Sequence, residues 1–477
     1  MRRVLTAGAV LAAVAAVPLA PPASAAAPYK GANTATVQDD FNGDGYRDVV
    51  IGAPDAKYGS VTKAGAVVVL YGSASGVSTA HRQVITQATT GIPGTPGKND
   101  RFGQTVTTAD LDRDGYADLV VGTPRKYFGL QQGLRGSVTV IWGGPGGLKG
   151  GADIAPPAGY GQGSLYCLFG QSLATGDMNG DGAPELAVGS TCQSATYTGP
   201  FTRSGKPASQ YLGTGRKRSV VMGDVDGDGK AELFSLPGPV LADSGPLSVV
   251  QDDPAATPAA LPLAHGWYGQ VGDVNGDGYG DLVTGVPSGG HSGGEIQVLY
   301  GGAHGIATDQ QPMAIHQDTP GVPGAGKDGG QFGSSLSVGD VDGDKYADVL
   351  VGVPYKTVGS AKWAGEAVLL RGSAAGLTGA KTTAYTQNTA GVAGTAESED
   401  YFGWAVHLAD VDKDGKADAV VGAPGENTDG LVWAARGSAG GPVTNGSAAI
   451  SGQSAGITPG SAALSFGAAL PSTAVTR

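Results

Sequence analysis

The chain has 477 residues, 40% hydrophobic but only 6% aromatic, which is enough for two or three ordinary domains or for one large repeat fold. A formal net charge of -12 excludes a globally basic nucleic-acid surface. The 84 glycines and 29 prolines recur at fixed offsets from apolar runs such as VVIGAP, LVVGTP and VLVGVP, so they punctuate short strands rather than forming a disordered tract.

In chain order, the first segment combines Arg2 and Arg3, an apolar stretch and a small-residue end at Ala23-Ser24-Ala25. That is the pattern of a secretory leader. Cleavage is expected after Ala25 or Ala27, giving a signal peptide over 1–27 and a secreted, extracellular chain over 28–477. The alternative, a membrane anchor, is opposed by Pro18, Pro21 and Pro22, and no later stretch is long and apolar enough to span a bilayer. The arginine pair leaves the export route open.

From residue 40 onward a nine-residue pattern, D-x-[DN]-x-D-[GK]-x-x-[DE], occurs seven times, starting at Asp40, Asp110, Asp177, Asp224, Asp273, Asp340 and Asp410. The spacings of 70, 67, 47, 49, 67 and 70 residues mark modules. Phe-Gly stands eight residues before four copies, at Phe102, Phe169, Phe332 and Phe402. Gly-Ala-Pro or a variant follows five, at Gly52, Gly122, Gly285, Gly352 and Gly422. A third run then appears (GAVVVLYG, GSVTVIWG, GEIQVLYG, GEAVLLRG, GLVWAARG), and a weaker fourth such as RQVITQ. Four β-rich runs per module predict blades of four antiparallel strands, hence an all-β, seven-bladed β-propeller. The tail repeats a module opening at Phe466-Gly467-Ala468-Ala469-Leu470 with no aspartate loop after it, while the first module lacks Phe-Gly. The C-terminal strand is therefore expected to dock on blade one and close the ring, with the run Thr34–Gln38 competing for that place.

From Phe-Gly through the aspartate loop to Gly-Ala-Pro, the module resembles the FG-GAP repeat of integrin α subunits and related extracellular proteins, over roughly residues 30 to 477. The resemblance implies a single propeller domain over 28–477 acting in adhesion or recognition.

The loops themselves read as calcium sites. Calcium takes six to eight oxygens, and a tight turn with acids at alternate positions supplies them. Positions one, three and five offer side-chain oxygens, position seven a backbone carbonyl and position nine a closing carboxylate. The seven sets are Asp40, Asn42, Asp44, Tyr46 and Asp48; Asp110, Asp112, Asp114, Tyr116 and Asp118; Asp177, Asn179, Asp181, Ala183 and Glu185; Asp224, Asp226, Asp228, Lys230 and Glu232; Asp273, Asn275, Asp277, Tyr279 and Asp281; Asp340, Asp342, Asp344, Tyr346 and Asp348; and Asp410, Asp412, Asp414, Lys416 and Asp418. They hold more than half of the 42 acidic residues, so up to seven Ca²⁺ are expected. The alternative is a set of metal-free Asp/Asn turns. Lys345 replaces the position-six glycine, which makes the Asp340 loop the weakest expected site.

Cys167 and Cys192 flank one predicted hairpin and are expected to form a disulfide, with two free buried thiols as the alternative. On the face opposite the aspartate loops, three connections are basic and aromatic. They carry Tyr58 and Lys63; Arg125, Lys126, Tyr127 and Phe128; and Tyr355, Lys356, Lys362 and Trp363. These are the candidate contacts for an acidic polymer, a glycan or a protein loop. A monomer with no nucleic-acid partner and no transmembrane segment is expected.

No catalytic set emerges. Two G-x-S-x-G matches, at Gly290 and Gly452, lie outside any strand-to-helix elbow, and Leu-Pro-Ser-Thr-Ala near the end lacks the membrane stretch of a sortase signal. The six histidines (His81, His265, His291, His304, His316, His407) show no zinc spacing and read as surface or packing residues. The competing class is an extracellular hydrolase or lyase, since FG-GAP propellers accompany glycosylphosphatidylinositol phospholipase D and calcium propellers occur among polysaccharide lyases.

Overall fold

The computed structural model describes residues 38–130, 133–213, 217, 219–236, 246–288, 290–326, 329–457 and 466–471. The leader and the Thr34–Gln38 run, apart from its last residue, lie outside the described residues. Among the described residues the fold is all-β, without an α-helix. Seven antiparallel sheets follow one another along the chain. Blade two is built from Thr105–Ala109, Asp118–Thr123, Leu134–Ile141 and Gly151–Asp153, and blade five from Tyr268–Gly272, Asp281–Val286, Glu295–Leu299 and Met313–Ile315. Blades three, four, six and seven are likewise four-stranded, which includes the two modules where Gly-Ala-Pro has lapsed. Blade one has three strands of its own, Val49–Ala53, Ala66–Leu70 and Arg82–Ile85.

The middle strands are apolar on both faces because each blade is sandwiched between two neighbours. Val49–Ala53 and Ala66–Leu70 are buried throughout, whereas the outermost strand, Arg82–Ile85, is mostly open. The core is therefore a series of seams between successive blades.

Phe-Gly and Gly-Ala-Pro are the two halves of one inter-blade contact. Phe102, at the entrance to blade two, is fully buried against Val50, Val67 and Val69 of blade one, and its amide donates to Ala64 O at 3.0 Å. A Cβ on Gly65 would fall 2.2 Å from Phe102 O, and one on Gly52 would fall 2.3 Å from Gly103 O. Only glycine permits that approach. The contact recurs at Phe402, where a Cβ on Gly365 or Gly352 would meet Phe402 O or Gly403 O at 2.1 and 1.9 Å.

The C-terminal segment closes the ring with the same device. Phe466 is fully buried beside Val432 of blade seven, and Cβ atoms on Gly430 and Gly422 would meet Phe466 O and Gly467 O at 2.2 and 2.1 Å. The chain then crosses to blade one, where Gly52 N donates to Ala469 O at 2.8 Å in an antiparallel bridge. The tail thus comes to the inner place missing from blade one and pairs there through this bridge.

Cys167 and Cys192 are disulfide-bonded, with Cα atoms 4.9 Å apart. Cys167 lies in Tyr166–Phe169, which enters blade three and pairs in parallel with Leu134–Ile141 of blade two. Cys192 lies just beyond Glu185–Gly189. Replacing both with alanine is expected to cost ~2–4 kcal/mol, read as a lower urea midpoint with the fold retained.

Candidate functional site

In blades two to seven the aspartate loop joins the first and second strands, in blade one it precedes Val49–Ala53, and all seven share one face. In the first loop, Asp40 accepts the amides of Gly43 and Gly45 at 2.7 and 2.8 Å, and Asn42 and Asp44 accept those of Asp44 and Tyr46 at 2.9 and 3.0 Å. The closing Asp48 accepts Phe41 N at 3.0 Å and Gly72 N, from the corner after the third strand, at 2.9 Å. The same double bond to a closing aspartate recurs at Asp118, Asp281, Asp348 and Asp418. The position-nine aspartate therefore ties two corners of its blade together.

Carboxylate oxygens converge in four loops, where those of Asp110, Asp112 and Asp118, of Asp224, Asp226 and Glu232, of Asp340, Asp342 and Asp344, and of Asp410, Asp412 and Asp418 lie within 4.8 Å of one another. Asp112 Oδ1 and Glu232 Oε1 are buried with no donor among the described residues. Such oxygens fit a hard divalent cation. Burial raises Asp48, Asp118 and Glu232 to about 8, Glu185 and Asp281 to about 7, and Asp348 and Asp418 to about 6, with neighbouring acids adding to the rise in all but Asp348, where Arg371 opposes it.

Several loops also receive a basic side chain. Arg203 reaches Asp112 at 2.6 Å and contacts Asp114, and Arg436 lies 2.8 Å from Asp412. Arg371 bridges Asp342 and Asp348 at 3.2 and 2.8 Å. The Asp340 loop thus carries two departures, because Lys345 also holds φ at 76° to donate its amide to Asp340 at 2.8 Å. A non-glycine residue there costs ~1 kcal/mol, so Lys345→Gly is expected to stabilise the protein by about that amount in a denaturant titration.

On the opposite face, Lys63, Arg125 and Tyr127 line one pocket of about 520 Å³ between blades one and two, together with Lys98, Asn99, Arg101 and Leu134. Asp55 partly balances it, 3.2 Å from Lys63 Nζ and 2.9 Å from Arg101 Nε. Tyr58, Tyr127 and Phe128 are half exposed. Lys126 turns inward, with Nζ 2.6 Å from both Asp100 and Thr95 O, and Lys356 is buried. Lys126 thus ties two loops together rather than facing solvent.

Tyr355 and Trp363 belong to a separate aromatic cluster with Tyr401 and Trp404 between blades six and seven. Tyr355 is 5.6 Å from Tyr401 and 6.1 Å from Trp363, and Trp404 is 5.6 Å from Tyr401. Lys362 stands at its edge, its amide bonded to Ser398. Residue reasoning missed Lys98, Arg101, Tyr401 and Trp404, which sit in the connections entering the next blade. Modules one and six place these groups alike, since Asp55, Lys63, Arg101 and Gln104 occupy the positions of Tyr355, Trp363, Tyr401 and Trp404.

Among the described residues no helix is long and apolar enough to cross a membrane. The FG-GAP repeat profile matches residues 32–70, 102–141, 265–299, 332–370 and 402–440, and the FG-GAP-like repeat profile matches 177–235. Phosphatidylinositol-glycan-specific phospholipase D of Homo sapiens is 31% identical over 164 residues, covering 34% of this chain and 19% of that protein. Integrin alpha-PS2 of Drosophila melanogaster is 31% identical over 218 residues, 39% of this chain and 15% of its own. Integrin alpha-7 of Mus musculus is 41% identical over 108 residues, 22% of this chain and 8% of its own. The chain thus spans less than a fifth of the length of each of these relatives. Matched over more than half its length by these repeat profiles and folded as seven blades in a closed ring, the chain belongs to the FG-GAP repeat family.

Proposed function

We propose that this protein is a secreted, calcium-stapled recognition module that binds an acidic extracellular glycan or polymer on the face opposite its aspartate loops. The observation that carries the reading is the pocket between blades one and two, lined by Lys63, Lys98, Arg101, Arg125 and the half-exposed Tyr127, where Asp55 pairs with Lys63 and Arg101. Carboxylates and sulfates pair with such cations through charge-assisted hydrogen bonds, and a tyrosine face stacks on a sugar ring. The aspartate loops, up to seven of them calcium-filled, keep the scaffold rigid beneath that face. The disulfide fits an oxidising, extracellular location, and the integrin relatives favour recognition over catalysis. We read the module as a monomer.

The test is a panel of immobilised acidic and neutral polysaccharides. Binding to the acidic members only, weakening with salt, is the expected result. Arg125→Ala and Lys63→Ala are each expected to reduce affinity ~10-fold, as the loss of one charged hydrogen bond does. Equal binding of neutral polymers, or full binding by the double variant, would contradict the reading.

A further inference from the structure

His291 and His316 are 25 positions apart in sequence, so no spacing rule pairs them. Yet the fold stacks their rings face to face, with centroids 3.7 Å apart and planes within 1°. His291 comes from the connection between the second and third strands of blade five, and His316 follows that blade's outermost strand. Asp318 joins them, with Oδ2 3.1 Å from His291 Nε2 and Oδ1 accepting Gly326 N at 3.0 Å.

One ring nitrogen from each histidine and one oxygen of Asp318 lie within 4.8 Å of one another. His291 Nδ1 is buried and has no partner among the described residues, while Asp318 N points at His316 Nδ1 from 3.2 Å. The backbone is cut back around the group, since a Cβ on Gly326 would fall 2.5 Å from His291 Cε1 and 2.8 Å from Asp318 Oδ2. The cluster stays open on one side, with the His291 and Asp318 side chains 25% and 44% exposed.

We propose that His291, His316 and Asp318 form a binding site for one divalent transition-metal ion of the zinc class. Two imidazole nitrogens and one carboxylate oxygen suit such an ion, whereas calcium selects oxygens alone, so this site and the aspartate loops take different metals. A metal must lie near the plane of each imidazole that holds it, and stacked parallel rings share no such point. One ring has to turn about χ2 on binding, and the open side gives it room. The site leaves a coordination position for water or an oxygen of a bound ligand, and it links two connections on the recognition face.

The experiment uses the purified protein saturated with calcium and freed of transition metals. It is titrated with Co²⁺ followed by visible absorption, then with Zn²⁺ in competition. One equivalent of cobalt with the intense visible bands of a low-coordinate site, displaced by zinc, is expected. His291→Ala and His316→Gln are each expected to weaken binding by ~100-fold or more, since even an outer-shell partner is worth 10- to 100-fold. His81→Ala is expected to change nothing, and the calcium-loaded melting temperature checks that each variant is folded. Only the pale spectrum of hydrated cobalt, or uptake unchanged in the His291→Ala/His316→Gln double variant, would overturn the assignment.

Discussion

Chelating calcium from the protein is expected to lower its melting temperature by ~20 °C. At a hundredfold excess over Kd each occupied site contributes ~2.7 kcal/mol, or ~19 kcal/mol for seven, against an unfolding entropy near 1 kcal/mol per degree for a chain this long. The ion-free protein should also depend on pH in an unusual direction. The closing acids of all seven loops are buried and raised to between about 6 and about 8, above their unfolded values of 3.8 for Asp and 4.5 for Glu. A raised carboxyl pKa means that the folded state binds the proton more tightly than the unfolded state. Stability is then greatest below pH ~4 and is lost as pH rises through the folded values to ~8. Calcium displaces those protons, so the loaded protein should hold its melting temperature across the same window. Melts at pH 5 and pH 8, with calcium and with chelator, read both effects.

Phe466→Ala is expected to cost ~3–5 kcal/mol and to loosen blades one and seven before the rest of the ring. The ring is fully buried in the seam between those two blades, and its truncation leaves a cavity with no local chain to fill it. The loss goes beyond one side chain, because Phe466 anchors the segment whose Ala469 bridges Gly52. Removing the chain from Phe466 onward should do more, exposing the edge of Val49–Ala53 and promoting association between molecules. Hydrogen exchange of the calcium-loaded variant checks the order of loosening. Protection lost first in blades one and seven is the expected pattern, and uniform loss around the ring would contradict it.

The propeller was legible because its punctuation is physical. Glycines recur where a neighbouring backbone touches, and aspartates recur where a tight loop turns on its own amides. The structure adds why two modules drift together. Blade three keeps the glycine as Gly189 but not the Ala-Pro after it, blade four has Leu236 at that position, and the blades after them, entered near Lys217 and Trp267, bring no Phe-Gly to press there. Closure by Phe466 was readable for the same reason, since an orphan Phe-Gly needs an orphan Gly-Ala-Pro. Long-range side-chain meetings left no local trace. The basic pocket joins Lys63 and Arg125 to Lys98 and Arg101 from the intervening connection, and His291 meets His316 only after a strand pair has formed between them. Nor does composition show which lysines face inward, as Lys126 does toward Asp100.

The most direct test of the account is to count calcium bound to the purified protein by elemental analysis after exchange into metal-free buffer. Five to seven ions per chain, falling by one when Asp118 is replaced by asparagine, is the result the aspartate loops predict. A protein with no bound calcium, and with the same melting temperature in chelator, would show that the loops are self-sufficient turns and that the scaffold needs no metal.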